Sequence, residues 1–145
     1  MNIKKVVIIG SGTMGSGIAA HLCNANIPVT LLDLKTEICV KAREKIYKSK
    51  PPLLLDKLKI NNIKVGNISD NFDVVKDADW IVEAVVERID VKQQIYRKIF
   101  KARKVGAIVS SNTSSIPIKV LSEHLTDIEK KDFCITHFFN PVRYM

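Results

Sequence analysis

Short apolar runs alternate along the chain with longer segments in which apolar residues recur every three or four positions. The runs are rich in Val and Ile and are bounded by Gly, Pro or charged residues, a pattern typical of buried strands in a parallel sheet. The predicted strands lie at residues 6–9, 28–33, 63–65, 80–86, 106–110 and 133–137.

The segments between these runs have the apolar periodicity of helices that bury one face. They predict helices over residues 14–25, 35–48, 91–103 and 117–125, with a short helix near 57–60 and a turn at 66–70. The prolines at 51 and 52 end the second helix, because proline cannot continue it. Alternating strands and helices predict an α/β fold with a doubly wound, mainly parallel sheet.

Composition restricts the class of protein. The 145 residues suit one domain, and 23 Lys and Arg against 15 Asp and Glu give a net charge of +8. The basic residues are spread along the chain without interleaved aromatic residues, which favours a solvated lysine-rich surface over a nucleic-acid interface. A nucleic-acid binder remains an alternative that rests on net charge alone.

Three cysteines without CxxC spacing favour reduced thiols over a disulfide framework or a metal site. No apolar stretch approaches the length of a membrane span, and the first residues lack the layout of a signal peptide. We therefore expect a cytoplasmic protein with no bound metal and no membrane span.

A glycine-rich turn at residues 10–15, Gly-Ser-Gly-Thr-Met-Gly, follows the first strand and opens the first helix. In such a turn Gly10 permits the tight bend, Gly12 lets a pyrophosphate approach the backbone, and Gly15 lets helix and strand pack closely. Asp33 ends the next strand, 18 residues after Gly15. Its carboxylate can accept both hydroxyls of a ribose and would repel a 2′-phosphate, so the pattern predicts a Rossmann-type fold that binds NAD rather than NADP.

Three further motifs indicate which family of Rossmann-type proteins this sequence resembles. They are Val-Glu-Ala-Val-Val-Glu at 82–87 followed by Lys92, Ser-Asn-Thr-Ser-Ser-Ile-Pro-Ile at 111–118, and His-Phe-Phe-Asn-Pro-Val at 137–142. With the glycine-rich turn, they resemble the NAD-binding domain of the L-3-hydroxyacyl-CoA dehydrogenase family. The resemblance covers nearly the whole chain and is strongest to the dehydrogenase part of bacterial fatty-acid oxidation multienzyme alpha subunits and to 3-hydroxybutyryl-CoA dehydrogenases.

The resemblance implies an oxidoreductase that reversibly oxidises an L-3-hydroxyacyl-CoA to the 3-ketoacyl-CoA, with NAD as hydride acceptor, in fatty-acid β-oxidation or short-chain acyl-CoA metabolism. It implies that His137 is catalytic, that Ser114 lies between substrate and nicotinamide, and that Asn140 lies beside the nicotinamide. Ser49 falls where the family contacts coenzyme A. The other implied cofactor contacts are Gly10, Gly12, Thr13, Gly15, Met14 and Asp33 on the phosphate and adenosine side, and Val85, Val86, Glu87 and Lys92 toward the nicotinamide ribose.

The chemistry of the side chains fits these roles. Oxidation of an alcohol releases a proton as hydride leaves the same carbon, and an imidazole with a pKa near neutrality suits that transfer. The Ser114 hydroxyl can donate a hydrogen bond to the same oxygen and stabilise its developing charge. Both residues follow predicted strands, where ligands bind in open α/β sheets.

The family also has features that this sequence lacks. It orients its histidine with a glutamate beyond the last motif and adds a helical dimerisation domain, so we expect residues 1–145 to be one NAD-binding domain that ends before it. That leaves an exposed apolar segment, which predicts self-association or a partner chain; its residues are Phe138, Phe139, Val142 and Tyr144. A non-catalytic NAD-binding remnant, a half-enzyme and a 3-hydroxyisobutyrate-type dehydrogenase are the alternatives.

Three polar residues have plainer interpretations. Glu83 is assigned no role beyond that of a polar strand residue. His21 and His124 are expected at the surface of helices.

Overall fold

The computed structural model describes residues 3–145 and places six strands of that range in one sheet. The strand order is β3-β2-β1-β4-β5-β6, and every neighbouring pair is parallel. The expected doubly wound sheet is confirmed. The strands are β1 (Val6–Ile9), β2 (Val29–Asp33), β3 (Ile63–Asn67), β4 (Trp80–Glu83), β5 (Ile108–Ser111) and β6 (Phe133–Ile135).

Helices cover both faces of the sheet. The α-helices are α1 (Thr13–Asn24), α2 (Thr36–Lys48), α3 (Ile89–Ala102), α4 (Ile118–Leu121) and α5 (Asp127–Lys130). The short helix expected near 57–60 is a 3₁₀ helix over Lys57–Asn62, and a second 3₁₀ helix, Phe72–Asp77, was not expected from the sequence.

The core consists of two apolar clusters, one on each face. Adjacent residues of β1 point to opposite faces, so Ile8 packs with Ile18 of α1 whereas Ile9 packs with Ile99 of α3. This arrangement explains why β1 is apolar at every position, because a strand in the middle of a doubly wound sheet is buried on both sides.

Some predicted elements are too long. β4 ends at Glu83 instead of residue 86, because the Glu83 side chain accepts the N–H of Val85 at 2.8 Å while the chain turns out of the sheet. The helix expected over 117–125 stops at Leu121, and the Ser122 hydroxyl donates to the carbonyl of Ile118 at 2.8 Å. α5 follows with a capping box between Thr126 and Glu129, a signal that was present in the sequence.

Residues 138–145 fold back onto the domain, so the prediction of an exposed apolar segment is wrong for Val142 and Phe138 and holds for Phe139 and Tyr144. Val142 is buried, and its side chain lies against Gly17 of α1. Phe138 is half-buried against the same core cluster. Phe139 and Tyr144 remain 58% and 49% exposed.

His124 differs from its prediction, whereas His21 is exposed on α1 as expected. His124 lies in the turn after α4 and is half-buried. Its ring stacks on Tyr96 with centroids 6.2 Å apart and planes 7° from parallel. Within residues 3–145 neither of its buried ring nitrogens has a hydrogen-bond partner.

Cys23 and Cys39 are buried free thiols, and Cys134 is half-buried and also free. In the part of the chain that the structure describes, no helix is both long and apolar enough to cross a membrane. The same part contains no group of three His, Cys, Asp or Glu side chains placed to hold a metal ion.

Candidate cofactor site and active site

The turn between β1 and α1 is crowded at two glycines and open at the third. Gly10 has φ of +103°, and a Cβ built there would lie 2.4 Å from the carbonyl oxygen of Ala84. A Cβ on Gly15 would lie 1.8 Å from the carbonyl oxygen of Gly10. A Cβ on Gly12 would meet nothing within 4 Å. The space over Gly12 is therefore available to a ligand, which is the role predicted for this glycine.

The beginning of α1 is suited to an anion. No side chain caps the helix at Gly12, and no acidic residue lies in its first turn, which contains Thr13 and Met14. The first amides of a helix have no partner within it, and they lie at the positive end of the helix dipole. A pyrophosphate fits this position without competing with a protein carboxylate.

The carboxylate of Asp33 is held in a defined orientation at the end of β2. Its Oδ2 accepts from the backbone N–H and the hydroxyl of Ser11 at 2.7 and 2.6 Å, and its Oδ1 accepts from the N–H of Leu34 at 2.7 Å. Each carboxylate oxygen can accept more than one hydrogen bond, so the group can still bind ribose hydroxyls. Ser11 had no assigned role, because its position in the motif admits any residue.

A mostly apolar cavity of about 260 Å³ lies beside Asp33. Gly10, Gly12 and the segment after β4, including Val85 and Val86, form one side of it. The apolar residues of the other side are Leu34, Ile68, Val91 and Ile95. An apolar cavity next to the Asp33 carboxylate, together with the open glycine turn, fits the adenosine half of NAD.

A second cavity, of about 350 Å³, gathers the predicted residues of the reacting end. It is lined by Ser114, His137, Asn140, Glu87 and Val85, which come from the loops after β4, β5 and β6. Met14 also lines this cavity, although the resemblance placed it at the adenosine half. Val85 lines both cavities, so the two lie side by side along the carboxyl ends of the strands.

A residue without a predicted role joins two of these loops. The side-chain oxygen of Asn112 accepts the N–H of Phe138 at 2.9 Å, which ties the loop that carries Ser114 to the segment that carries His137. The ring of His137 is exposed and lies 4.5 Å from the ring of Phe139. Across residues 3–145 no hydrogen bond to the imidazole is present, so the ring is placed by the backbone next to Phe138 and by its contact with Phe139.

Glu87 organises the loop after β5. Its Oε1 accepts from the hydroxyl of Thr113, from the N–H of Ser114 at 3.2 Å and from the hydroxyl of Ser115 at 3.3 Å. Partial burial raises the pKa of Glu87, but the hydrogen bonds from Thr113 and Lys92 outweigh that effect and lower it to about 2. Glu87 is therefore ionised at neutral pH.

Lys92 is not the solvated helix charge that its position in α3 allows. Its side chain is 1% exposed, and its Nζ lies 2.7 Å from Glu83 and 3.1 Å from Glu87. It lines neither of the two cavities. Its direct contact with a cofactor ribose stays a prediction, whereas its contact with Glu87 is part of the structure.

Ser49 lies elsewhere, on a third cavity of about 720 Å³ beside α2, whose lining includes Lys41 and Lys45. The hydroxyl of Ser49 donates to the carbonyl of Ile46 at 2.9 Å and accepts from the N–H of Leu53 at 3.0 Å. This cavity shares Gly12 and Asp33 with the apolar cavity and shares no lining residue with the cavity of His137.

Comparisons with known proteins identify the family of this chain. The profile of the family described as 3-hydroxyacyl-CoA dehydrogenase, NAD binding domain, matches residues 5–145. A putative fatty acid oxidation complex trifunctional enzyme of Rickettsia felis is 45% identical over 99% of this chain and 21% of its own length. A probable 3-hydroxyacyl-CoA dehydrogenase of Deinococcus radiodurans is 39% identical over 100% of this chain and 44% of its own length.

A solved structure with the same fold is 3-hydroxybutyryl-CoA dehydrogenase from Escherichia coli. It superposes with a TM-score of 0.87 at 25% sequence identity. The match covers 100% of this chain and 31% of the Escherichia coli chain. The chain thus spans less than half the length of each of these three proteins. On the match over residues 5–145, it belongs to the NAD-binding domain family of the 3-hydroxyacyl-CoA dehydrogenases.

Proposed function

We propose that this chain is the NAD-binding and proton-transferring part of an L-3-hydroxyacyl-CoA dehydrogenase that acts in fatty-acid β-oxidation or short-chain acyl-CoA metabolism. The observation that carries the proposal is the cavity that brings Ser114, His137 and Asn140 together beside the glycine-rich turn. Relatives named 3-hydroxyacyl-CoA dehydrogenase, matched along the whole chain, support it.

In this proposal His137 and Ser114 act on the substrate oxygen. An imidazole nitrogen of His137 accepts the hydroxyl proton, and in the reverse direction the imidazolium returns it. The hydroxyl of Ser114 donates a hydrogen bond to the same oxygen and stabilises its charge. Asn140 borders the nicotinamide position, and NAD when bound supplies the hydride acceptor.

The adenosine and ribose ends of the cofactor would lie along the remaining predicted residues. Gly10, Gly12, Thr13 and Gly15 would surround the pyrophosphate, and Asp33 would bind the adenosine ribose. Val85, Val86 and Glu87 would border the path to the nicotinamide ribose, with Lys92 behind Glu87.

We propose an acyl-CoA substrate. Lys41 and Lys45 beside Ser49 offer positive charge to phosphates of coenzyme A. The exposed rings of Phe139 and Tyr144 would be covered by a further domain, a partner chain or a second copy. Three free cysteines suit a reducing compartment, and we place the protein in the cytoplasm.

The test is oxidation of NADH by the purified chain with acetoacetyl-CoA, followed by absorbance. We expect turnover that falls by about 100-fold or more in His137→Gln, the size of a lost general acid–base. Binding of NADH without turnover would support the alternative, a non-catalytic NAD-binding protein. Absence of NADH binding by the folded chain would contradict both.

A chimera separates a defective site from missing surroundings. In the chimera, this chain replaces the matching domain of the Escherichia coli 3-hydroxybutyryl-CoA dehydrogenase. The match between the two structures covers 100% of this chain. Turnover by the chimera, lost in His137→Gln, would show that the residues of this chain are competent. An inactive, folded chimera that binds NADH would favour the remnant.

A further inference from the structure

A carboxylate without solvent contact lies beneath the candidate active site. Glu83 is 0% exposed at the end of β4, next to its register partner Ser111 of β5. Four donors surround it: the N–H of Val85 at 2.8 Å and Nζ of Lys92 at 2.7 Å on Oε1, and the hydroxyls of Tyr96 at 2.5 Å and Ser111 at 2.7 Å on Oε2. A buried charge is tolerated only when it is paired and hydrogen-bonded in this way.

One route from Glu83 to the active site passes through Lys92. The ammonium group of Lys92 binds Glu83 on one side and Glu87 on the other. Glu87 in turn accepts the N–H of Ser114. The Glu87 side chain is 38% exposed and lines the cavity of His137. The contacts from Glu83 through Lys92 to Glu87 therefore lead from the core to the surface of that cavity.

A second route passes through Ser111. Its hydroxyl donates to Glu83, and its oxygen accepts the N–H of Thr113 at 3.3 Å. Both routes end on the residues that flank or include Ser114. A single carboxylate is therefore connected twice to the loop that carries the proposed hydrogen-bond donor to the substrate.

Tyr96 completes the arrangement from α3. Its ring is buried, stacks on His124 and meets the ring of Phe133 edge-on with centroids 5.0 Å apart. Burial and the neighbouring Glu83 raise the pKa of Tyr96 well above its ordinary range, so the phenol keeps its proton and donates a hydrogen bond to the carboxylate.

The cost of the arrangement argues for a role beyond stability. Apolar residues of similar size in place of a buried ion pair are often neutral or stabilising. Here two carboxylates share one ammonium at the edge of the cavity, and the hydroxyls of Tyr96 and Ser111 support the uncompensated charge. A cluster with these directional bonds can fix the orientation of Glu87, which an apolar cluster could not do.

We infer that Glu83, Tyr96 and Ser111 are positioning residues that hold Glu87 and the backbone of Ser114 in the geometry used for catalysis. The inference rests on the proposed function for the role of Ser114, but the connection between Glu83 and the loop can be measured without the reaction.

The experiment uses Tyr96→Phe and Ser111→Ala in the full chain. Tyr96→Phe removes one hydroxyl and keeps the ring that packs in the core. Tyr144→Phe is its matched control, because the Tyr144 hydroxyl donates to the carbonyl of Pro52 at 2.7 Å, away from the cluster. Ser122→Ala is the control for Ser111→Ala, since Ser122 is also buried and bonds elsewhere.

The first readout is amide hydrogen exchange at Thr113 and Ser114. We expect exchange at these amides to rise about tenfold in Tyr96→Phe and Ser111→Ala, while amides of β1 change only as much as global stability does. Equal exchange at Thr113 and Ser114 in variants and controls would overturn the inference.

The second readout is turnover in the chain, or in the chimera if the chain alone is inactive. We expect kcat to fall about tenfold in both variants, with the NADH dissociation constant changed less than threefold. Faster exchange with unchanged kcat would support the positioning of the loop by the cluster. It would contradict the catalytic role of Ser114 in the proposed function. A uniform rise in exchange across the sheet would mark a purely structural cluster and would overturn the inference.

Discussion

The carbonyl oxygen of Gly10 lies where a side chain at Gly15 would have to begin, because a Cβ on Gly15 would be 1.8 Å from that oxygen. The first turn of α1 therefore lies directly against the end of β1. This contact brings the amides of the helix to the edge of the sheet where the cofactor binds in the proposed function.

Gly15→Ala is expected to destabilise the fold severely. The backbone of Gly10 cannot move away without displacing β1, so we expect a loss of at least about 3 kcal/mol or failure to fold. Urea unfolding measures the change. A variant with the stability of the parent would show that the turn can relax and would contradict the close packing.

Gly12→Ala separates binding from stability. Nothing lies within 4 Å of the added methyl group, so we expect an unfolding free energy within about 0.5 kcal/mol of the parent. The methyl group would occupy the space of the pyrophosphate, and the NADH dissociation constant should rise at least about tenfold in a fluorescence titration. Unchanged affinity would place the pyrophosphate elsewhere.

Asp33→Asn should weaken NADH and reduce the discrimination against NADPH. The substitution removes the charge that binds ribose hydroxyls, a loss of about 1.5–3 kcal/mol and thus of about tenfold or more in affinity. Ser11→Ala is the control, since it removes the hydroxyl bond to Asp33 but leaves the carboxylate. Equal losses of NADH affinity in the two variants would mean that Asp33 only holds the turn.

His124, half-buried with two buried ring nitrogens, predicts a pH-dependent stability. Burial and the charge of Arg97 lower its pKa from the ordinary 6.5, and this outweighs the opposite effect of Glu129 and Glu123. The unfolded chain then takes up a proton near pH 6.5, whereas the folded chain does so only at lower pH. The contribution of His124 to the unfolding free energy is therefore present above pH 6.5 and is lost as the pH falls below it.

His124→Phe keeps a ring on Tyr96 and removes the titration. We expect its unfolding free energy to depend less on pH between 7.5 and 5.5 than that of the parent, measured by urea unfolding at each pH. His21→Phe, at an exposed position, should keep the parental dependence. A parental slope in His124→Phe would contradict the assignment.

The sheet could be predicted from the sequence because its strands are apolar runs and its turn is marked by glycines. The ends of the strands are harder to predict. Residues 84–86 continue the apolar run of β4 but line the cavities instead, since the turn that Glu83 makes with Val85 takes them out of the sheet. Periodicity alone does not distinguish an apolar strand residue from an apolar residue that faces a ligand.

The role of Glu83 could not be found from the sequence for a different reason. Its partners Lys92, Tyr96 and Ser111 lie on two other elements, and no spacing rule relates a strand residue to a helix that packs on it. The burial of Val142 escapes prediction for the same reason, because its contact with Gly17 joins residues far apart in the sequence. The motif residues could be predicted as candidates because each motif is one continuous segment of the sequence.

Because β1 lies in the middle of the sheet, the two parts of the candidate site assemble at different times during folding. β1 pairs with β2, the next strand in the chain, but its other neighbour, β4, comes only after β2, β3, two α-helices and two 3₁₀ helices. Pairings between distant segments form slowly, since the loop between them must close first. The phosphate turn and Asp33 belong to one continuous segment and can assemble early in folding. The cavity of Ser114 and His137, and the side of the apolar cavity that Val85 and Val86 form, have to await the late half of the sheet, so the turn and Asp33 take their places before either cavity is complete.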